Sequence, residues 1–548
     1  MFLVQCCVVG QSADSPELIV IFLYNLLILI EENGLRKIDI VGTRYSWRIL
    51  MTDLADERRL HAKNVAKSLW NKQFIDGRFI PSVTGQTIPV IDPARNEEVG
   101  CIPASNAEDI DRAVSAAVKS FSSWRQSTPR ERGQIFRACG EELRKHSELL
   151  AGIITLETGK ALRTESRLEA LSVADVFEFY AGLGGEIKGQ TIPVAREMMT
   201  LTVYEPVGVV GAIIPWNVPV MLMVHKIAPA LLAGNTVVVK PSENASLAVL
   251  KATELIGNLF PSGVLNVVCG TGVSAGAALV AHEDVRKVSF TGSTVTGRSI
   301  AAKAGERLIS TTMELGGKSP MIIAEDADVE QAVNGIVSGM RFTRQGQSCS
   351  AASRVFVHNS ILAEVKQFLE LKLKALRIGD PFQEQTDIGS IISRQQYEKV
   401  MSYIHEVKSD PQIELAQVGE LPESKIFSEG FFCRPTIVYG ASNDSRLAKE
   451  EIFGPVCLVI PFTDFDAALA AANDTSYGLA AYLWTRDIGK ALRFANEAEA
   501  GFVQINQNIV FRPGTPYGGF KNSGFGREAC LETVTESYMR QKTVLFGL

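Results

Sequence analysis

A chain of 548 residues, 46% hydrophobic and 21% charged, is too long for one core and too apolar to stay disordered, so two substantial lobes are expected. The net charge of −6, with no concentrated basic stripe, argues against a polyanion and therefore against nucleic acid as a partner. Nine cysteines without a C-x-x-C pair or Cys/His ligand spacing argue against a disulfide scaffold and a metal site, and suit a reducing, cytoplasmic compartment.

Residues 1–50 form a leader of unassigned role. Its apolar run, 18–30, is shorter than the ~20 residues that span a bilayer, and Asp14 and Glu17 precede it where a signal peptide carries basic residues. Stable membrane insertion is not expected. Met51 opens a helix-friendly stretch, 52–70, and patterned globular sequence begins near Phe74, so the native chain is expected to begin at Met51. Asp76-Gly77 and Thr84-Gly85 punctuate short strands over 74–90, predicting a hairpin. Apolar residues at three- and four-residue steps predict helices over 106–120 and 130–150.

Beyond Tyr204, apolar runs at 207–214, 236–239, 265–268 and 287–290 alternate with helical segments at 219–233, 245–258 and 273–282. Such alternation predicts an α/β fold with a parallel sheet covered on both faces, a nucleotide-binding layout. Strand-like runs at 321–323, 354–357, 457–462, 480–484 and 502–505 predict a second α/β lobe.

Several short constellations carry chemistry, each beside a plainer reading. Lys240-Pro241-Ser242-Glu243 follows a strand at a sheet's carboxyl edge, where a cation and a carboxylate reach a nucleotide's ribose; a solvated helix start is the alternative. Gly292-Ser293 lies in a glycine turn between strand and helix that suits a pyrophosphate, although such turns are common. Asn217, in Pro215-Trp216-Asn217, is either an oxyanion donor or a turn residue. Cys349 sits in a small-residue loop, Gly346-Gln347-Ser348-Cys349-Ser350, that suits an activatable thiol, whereas Cys457 lies in an apolar run. Glu314 precedes two glycines in Met313-Glu314-Leu315-Gly316-Gly317-Lys318, a backbone packed closely on something, or else is a helix-surface glutamate.

Taken in order, and joined by Glu451-Ile452-Phe453-Gly454-Pro455 and Pro516-Tyr517-Gly518-Gly519-Phe520-Lys521, these residues resemble the aldehyde dehydrogenase superfamily from Phe74 to the C-terminus. The resemblance implies a Rossmann-like NAD domain (51–187 and 206–314), a catalytic α/β domain (315–525), and a bridging β-element (188–205 and 535–548) that makes a homodimer or homotetramer. It implies Cys349 as nucleophile, Asn217 with the Cys349 backbone N–H as oxyanion hole, and Glu314 as general base. Lys240 and Glu243 match ribose contacts, Gly292 and Ser293 the pyrophosphate turn, Glu451 and Phe453 the nicotinamide contacts, and Trp216 the edge of the cofactor cleft. The Glu243 carboxylate would favour NAD over NADP.

Val218, Met221, Ser348, Phe511 and Tyr517 match pocket-lining positions and suit a medium apolar or aromatic aldehyde; His225, also at the pocket, is a substrate contact or a core histidine. Arg344 stands where the family commonly has Asn, with Arg341 nearby, and each is either a surface cation or a contact for an acidic aldehyde. The rival readings are a coenzyme A-acylating dehydrogenase or an acyl phosphate reductase, both disfavoured by Glu314, and a non-catalytic binding or structural relative.

Overall fold

The computed structural model describes residues 38–43, 46–51, 54–411, 413–421, 423, 425–508 and 512–547; the apolar run 18–30 and Phe511 lie outside them. Ile38–Thr43 and Ser46–Met51 pair as an antiparallel hairpin. The helix Leu54–Lys67 follows and buries Ala62 and Ala66 in the first core.

At Asp76-Gly77, both residues take positive φ, 52° and 76°, and turn the Gln73–Ile75 strand back onto Arg78–Ile80. This is the hairpin that Asp-Gly signals. The helix Ala107–Trp124 starts at Asn106 and Pro129–Lys145 at Thr128, each closed by a reciprocal capping box with Asp109 or Glu131. The single helix expected over 130–150 is two: at His146 the backbone leaves helical geometry, and Ser147–Thr158 begins anew. The ring of His146 bonds back to the Glu142 carbonyl at 2.9 Å, closing the first helix locally.

Among the described residues, an eight-stranded sheet runs in the order Gly524–Phe525, Ser310–Glu314, Val285–Thr291, Val209–Ile214, Thr236–Pro241, Leu265–Val267, Gln73–Ile75, Arg78–Ile80. Its five central strands are parallel, and antiparallel strands close both edges. Val209–Ile214 and Thr236–Pro241 are buried at every residue, because helices cover both faces. Each fully buried Val or Ile contributes about 1.5–3 kcal/mol to holding the layers together.

The second sheet has the order Glu414–Gln417, Thr436–Tyr439, Val456–Phe462, Arg354–His358, Pro320–Ile323, Ala480–Trp484, Phe502–Ile505. A third, antiparallel sheet joins Met539–Gly547, Met198–Pro206 and Thr191–Ala195. It leaves Ile192, Val194, Leu545 and Phe546 exposed. No helix among the described residues is long and apolar enough to cross a membrane.

Candidate active site

Cys349 lies in the loop between the short turn Phe342–Arg344 and the strand Arg354–His358. Arg341, Gln345 and Gly346 all take positive φ, and a Cβ on Gly346 would fall 2.1 Å from the Gly454 carbonyl oxygen. Only glycine allows that approach. A Cβ on Gly317 would meet the Cys349 carbonyl oxygen at 2.2 Å, so the segment after Glu314 lies directly on the Cys349 loop. Part of the Cys349 surface is open, yet the surrounding atoms desolvate the thiol, and burial pushes it up to about 11. Its Sγ stands 3.6 Å from the Tyr517 hydroxyl.

Asn217 is buried just past the Val209–Ile214 strand, and its Nδ2 donates to the Gln347 carbonyl at 3.2 Å. Two groups without a motif hold it there. The buried Lys160 ammonium donates to the Asn217 carbonyl at 2.8 Å and pairs with Glu169. Glu169 in turn accepts the N–H groups of Val220 and Met221 at 3.0 and 3.3 Å, capping the helix Pro219–Leu232. Nothing in the sequence singles this pair out, since charged residues alternate with apolar ones throughout 160–169 as on a solvated helix. Removing one partner of a buried pair leaves the other charge uncompensated, so Lys160→Met is expected to destabilise the fold by about 3–5 kcal/mol in chemical denaturation; an unchanged midpoint and slope would show the pair to be dispensable.

Glu314 ends the Ser310–Glu314 strand, so it is not a helix-surface residue. Its carboxylate is 4% exposed and has no hydrogen-bond partner among the described residues. Burial, reinforced by Glu528, raises its pKa well above the usual carboxylate range against the pull of Lys226 and Arg527. Lys226 is fully buried and donates to Glu528 at 2.7 Å and to the Ser289 hydroxyl at 3.2 Å.

On the cofactor side, Lys240 and Glu243 stand at the carboxyl end of the Thr236–Pro241 strand, 3.2 Å apart, with Lys240 buried and the Glu243 side chain 37% exposed. Ser293 caps the helix Thr294–Glu306, accepting the Thr296 N–H at 3.3 Å, with Gly292 before it. This helix start is open, for Val295 in its first turn is 78% exposed. Glu451 accepts the Gly317 N–H at 3.0 Å, and burial pushes its carboxyl up to about 7. Phe453, at φ 58°, sets its ring edge-on to Trp216 at 5.3 Å. An open helix N-terminus, a strand-end cation and a partly open carboxylate form a donor set that fits a dinucleotide's phosphates and ribose.

Of the pocket residues, Val218 and Met221 sit half-buried at the start of the Pro219–Leu232 helix. One turn on, His225 is buried and its pKa falls to about 4 through desolvation, so the imidazole is neutral at neutral pH. Ser348 is buried beside Cys349, and Tyr517 touches the thiol. Arg344 is not a surface cation: it is largely buried, within electrostatic reach of Cys349, and ion-paired with Glu165 at 2.6 Å, while the Thr343 hydroxyl donates to the other Glu165 oxygen at 2.5 Å. Arg341 is half-buried, within electrostatic reach of Glu165, Tyr482 and Tyr517.

Residues 79–544 match the sequence profile described as the aldehyde dehydrogenase family. The chain is 40% identical over 462 residues to hydroxyisobutyraldehyde dehydrogenase of Mycolicibacterium austroafricanum, covering 84% of this chain and 91% of that protein. It is 38% identical over 479 residues to aldehyde dehydrogenase [NAD(P)+] 2 of Saccharomyces cerevisiae, covering 86% and 94%. Among solved structures, betaine aldehyde dehydrogenase from Staphylococcus aureus in complex with NAD+ superposes with a TM-score of 0.86 at 37% identity, covering 89% of this chain and 97% of that one. With the profile matched over most of its length and with these relatives, the chain belongs to the aldehyde dehydrogenase family, whose members oxidise aldehydes with NAD(P).

Proposed function

We infer that the chain oxidises an aldehyde to its carboxylic acid with NAD, through a thiohemiacetal and a thioester on Cys349. The observation that carries this reading is the meeting, around one loop, of a thiol, a side-chain amide and a buried carboxylate without hydrogen-bond partners among the described residues. The Cys349 sulfur attacks the carbonyl carbon while the thiol proton passes to ionised Glu314. Charge developing on the oxygen is met by the Asn217 amide and the Cys349 backbone N–H. Lys240, Glu243, Ser293, Glu451 and Phe453 would hold NAD, which would supply the hydride acceptor there. Once the thiol proton has passed from Glu314 to solvent, the carboxylate takes a proton from water as the water attacks the thioester; the C–S bond breaks, and its electron pair returns to sulfur. Lys226 and Glu528 lie behind Glu314 as a polar exit for that proton.

Glu243 sets the preference for NAD, because its carboxylate repels a 2′-phosphate. Val218, Met221 and Tyr517 favour a medium apolar or aromatic aldehyde. The exposed apolar residues of the third sheet, Val194 and Leu545 among them, favour a homodimer or homotetramer. A cytoplasmic location suits the cysteine usage. The test is NADH formation across aliphatic, aromatic and acidic aldehydes without coenzyme A. Turnover is expected; a folded, NAD-binding protein that stays silent until coenzyme A is added would replace this reading with an acylating one.

A further inference from the structure

We propose that Tyr517 is a further catalytic residue: its phenol donates a hydrogen bond to the Cys349 thiolate and stabilises sulfur each time it carries the negative charge. This rests on the thioester reading above, but its physical basis is local. The Tyr517 hydroxyl lies 3.6 Å from Sγ. The ring is held edge-on to Phe502 at 5.3 Å, and the Tyr517 backbone exchanges two hydrogen bonds with Glu528, at 3.0 and 2.7 Å. Phenylalanine would fill the same packing, so the hydroxyl is the chemically distinctive part.

A buried thiolate needs a donor, and the groups facing it supply few. Glu314 and Glu451 both oppose its charge, while the Ser350 backbone N–H and the Tyr517 hydroxyl favour it. Arg344 lies within reach, but its guanidinium is committed to Glu165. The Tyr482 hydroxyl donates to the Ser350 carbonyl at 2.9 Å. Tyr517 itself stays protonated, because burial and the charges of Cys349 and Glu314 push its pKa well above that of a free phenol. It therefore donates a hydrogen bond and keeps its proton. The bond weakens when sulfur adds to the carbonyl and re-forms when hydrolysis breaks the C–S bond and sulfur recovers its electron pair. The phenol thus serves both the attack and the departure of the same atom.

The test is iodoacetamide alkylation of Cys349 in the NAD-free protein, followed by peptide mass spectrometry across a pH series, for the wild type and Tyr517→Phe. A hydrogen bond to an ionised acceptor is strong enough to move the thiol midpoint upward by about one pH unit, slowing alkylation about tenfold below the midpoint while the high-pH plateau is retained. An unmoved midpoint overturns the proposal. So does a change by one factor at every pH, which reads only altered access. Because alkylation requires no turnover, failure of the dehydrogenase reading would appear separately, as absent NADH formation with the midpoint still shifted.

Discussion

Glu314→Gln is expected to form NADH once per active site and then all but stop. The amide is nearly isosteric but takes no proton, so the thioester accumulates and steady-state turnover falls by about 10²–10⁴-fold. The burst should also be slower, since the thiol has lost its acceptor. Stopped-flow absorbance measures both phases. A variant with wild-type turnover would remove Glu314 from the mechanism. The pH dependence carries the same information with a definite sign. A carboxyl whose pKa is raised by burial is protonated and idle at low pH and becomes a base only as pH rises. Wild-type turnover should therefore climb as pH rises through the raised pKa of Glu314, and Glu314→Gln should flatten that limb.

Cys349→Ala is expected to abolish NADH formation altogether, burst included, a loss of at least about 10⁴-fold. No neighbouring sulfur can substitute: Cys269 and Cys457 are fully buried, and burial holds both thiols far up, at about 12. Removing one sulfur from a loop fixed by Gly346 and Gly317 should leave the fold intact. Nucleotide binding should survive too, because Lys240 stands on a strand and Ser293 at a helix start, both apart from the Cys349 loop. Protein fluorescence titrated with NAD, beside the absorbance assay, separates the two effects. Residual turnover near the wild-type rate would mean that another group attacks the aldehyde.

What the sequence made legible follows from where each signal is stored. Central parallel strands such as 209–214 and 236–241 announce themselves as apolar runs because both faces are covered. The Ser310–Glu314 strand does not, since Ser-Thr-Thr-Met-Glu has the composition of a loop; it is a strand because Val285–Thr291 and Gly524–Phe525 pair with it. Thr436–Tyr439, which pairs in parallel with Val456–Phe462, was missed as well. Within the site, the sequence marks the motif residues but not the buried charges packed around them. Lys226 and Glu528 are 302 positions apart, and nothing local marks either as the other's partner. The surface-cation reading of Arg344 failed for the same reason, for Glu165 lies 179 residues away.

The C-terminal ribbon also bears on how the enzyme comes into being. Tyr517 touches the thiol, Gly524 pairs with Glu314, and Glu528 holds Lys226, all in one short stretch near the end of the chain. Its last strand, Met539–Gly547, then zips along Met198–Pro206. Translation proceeds from the N-terminus, so Cys349 emerges from the ribosome well before these partners exist. The nascent polypeptide thus carries Cys349, Glu314 and Lys226 without these partners until residues 517–528 are made, and a chain stopped before them lacks all three contacts.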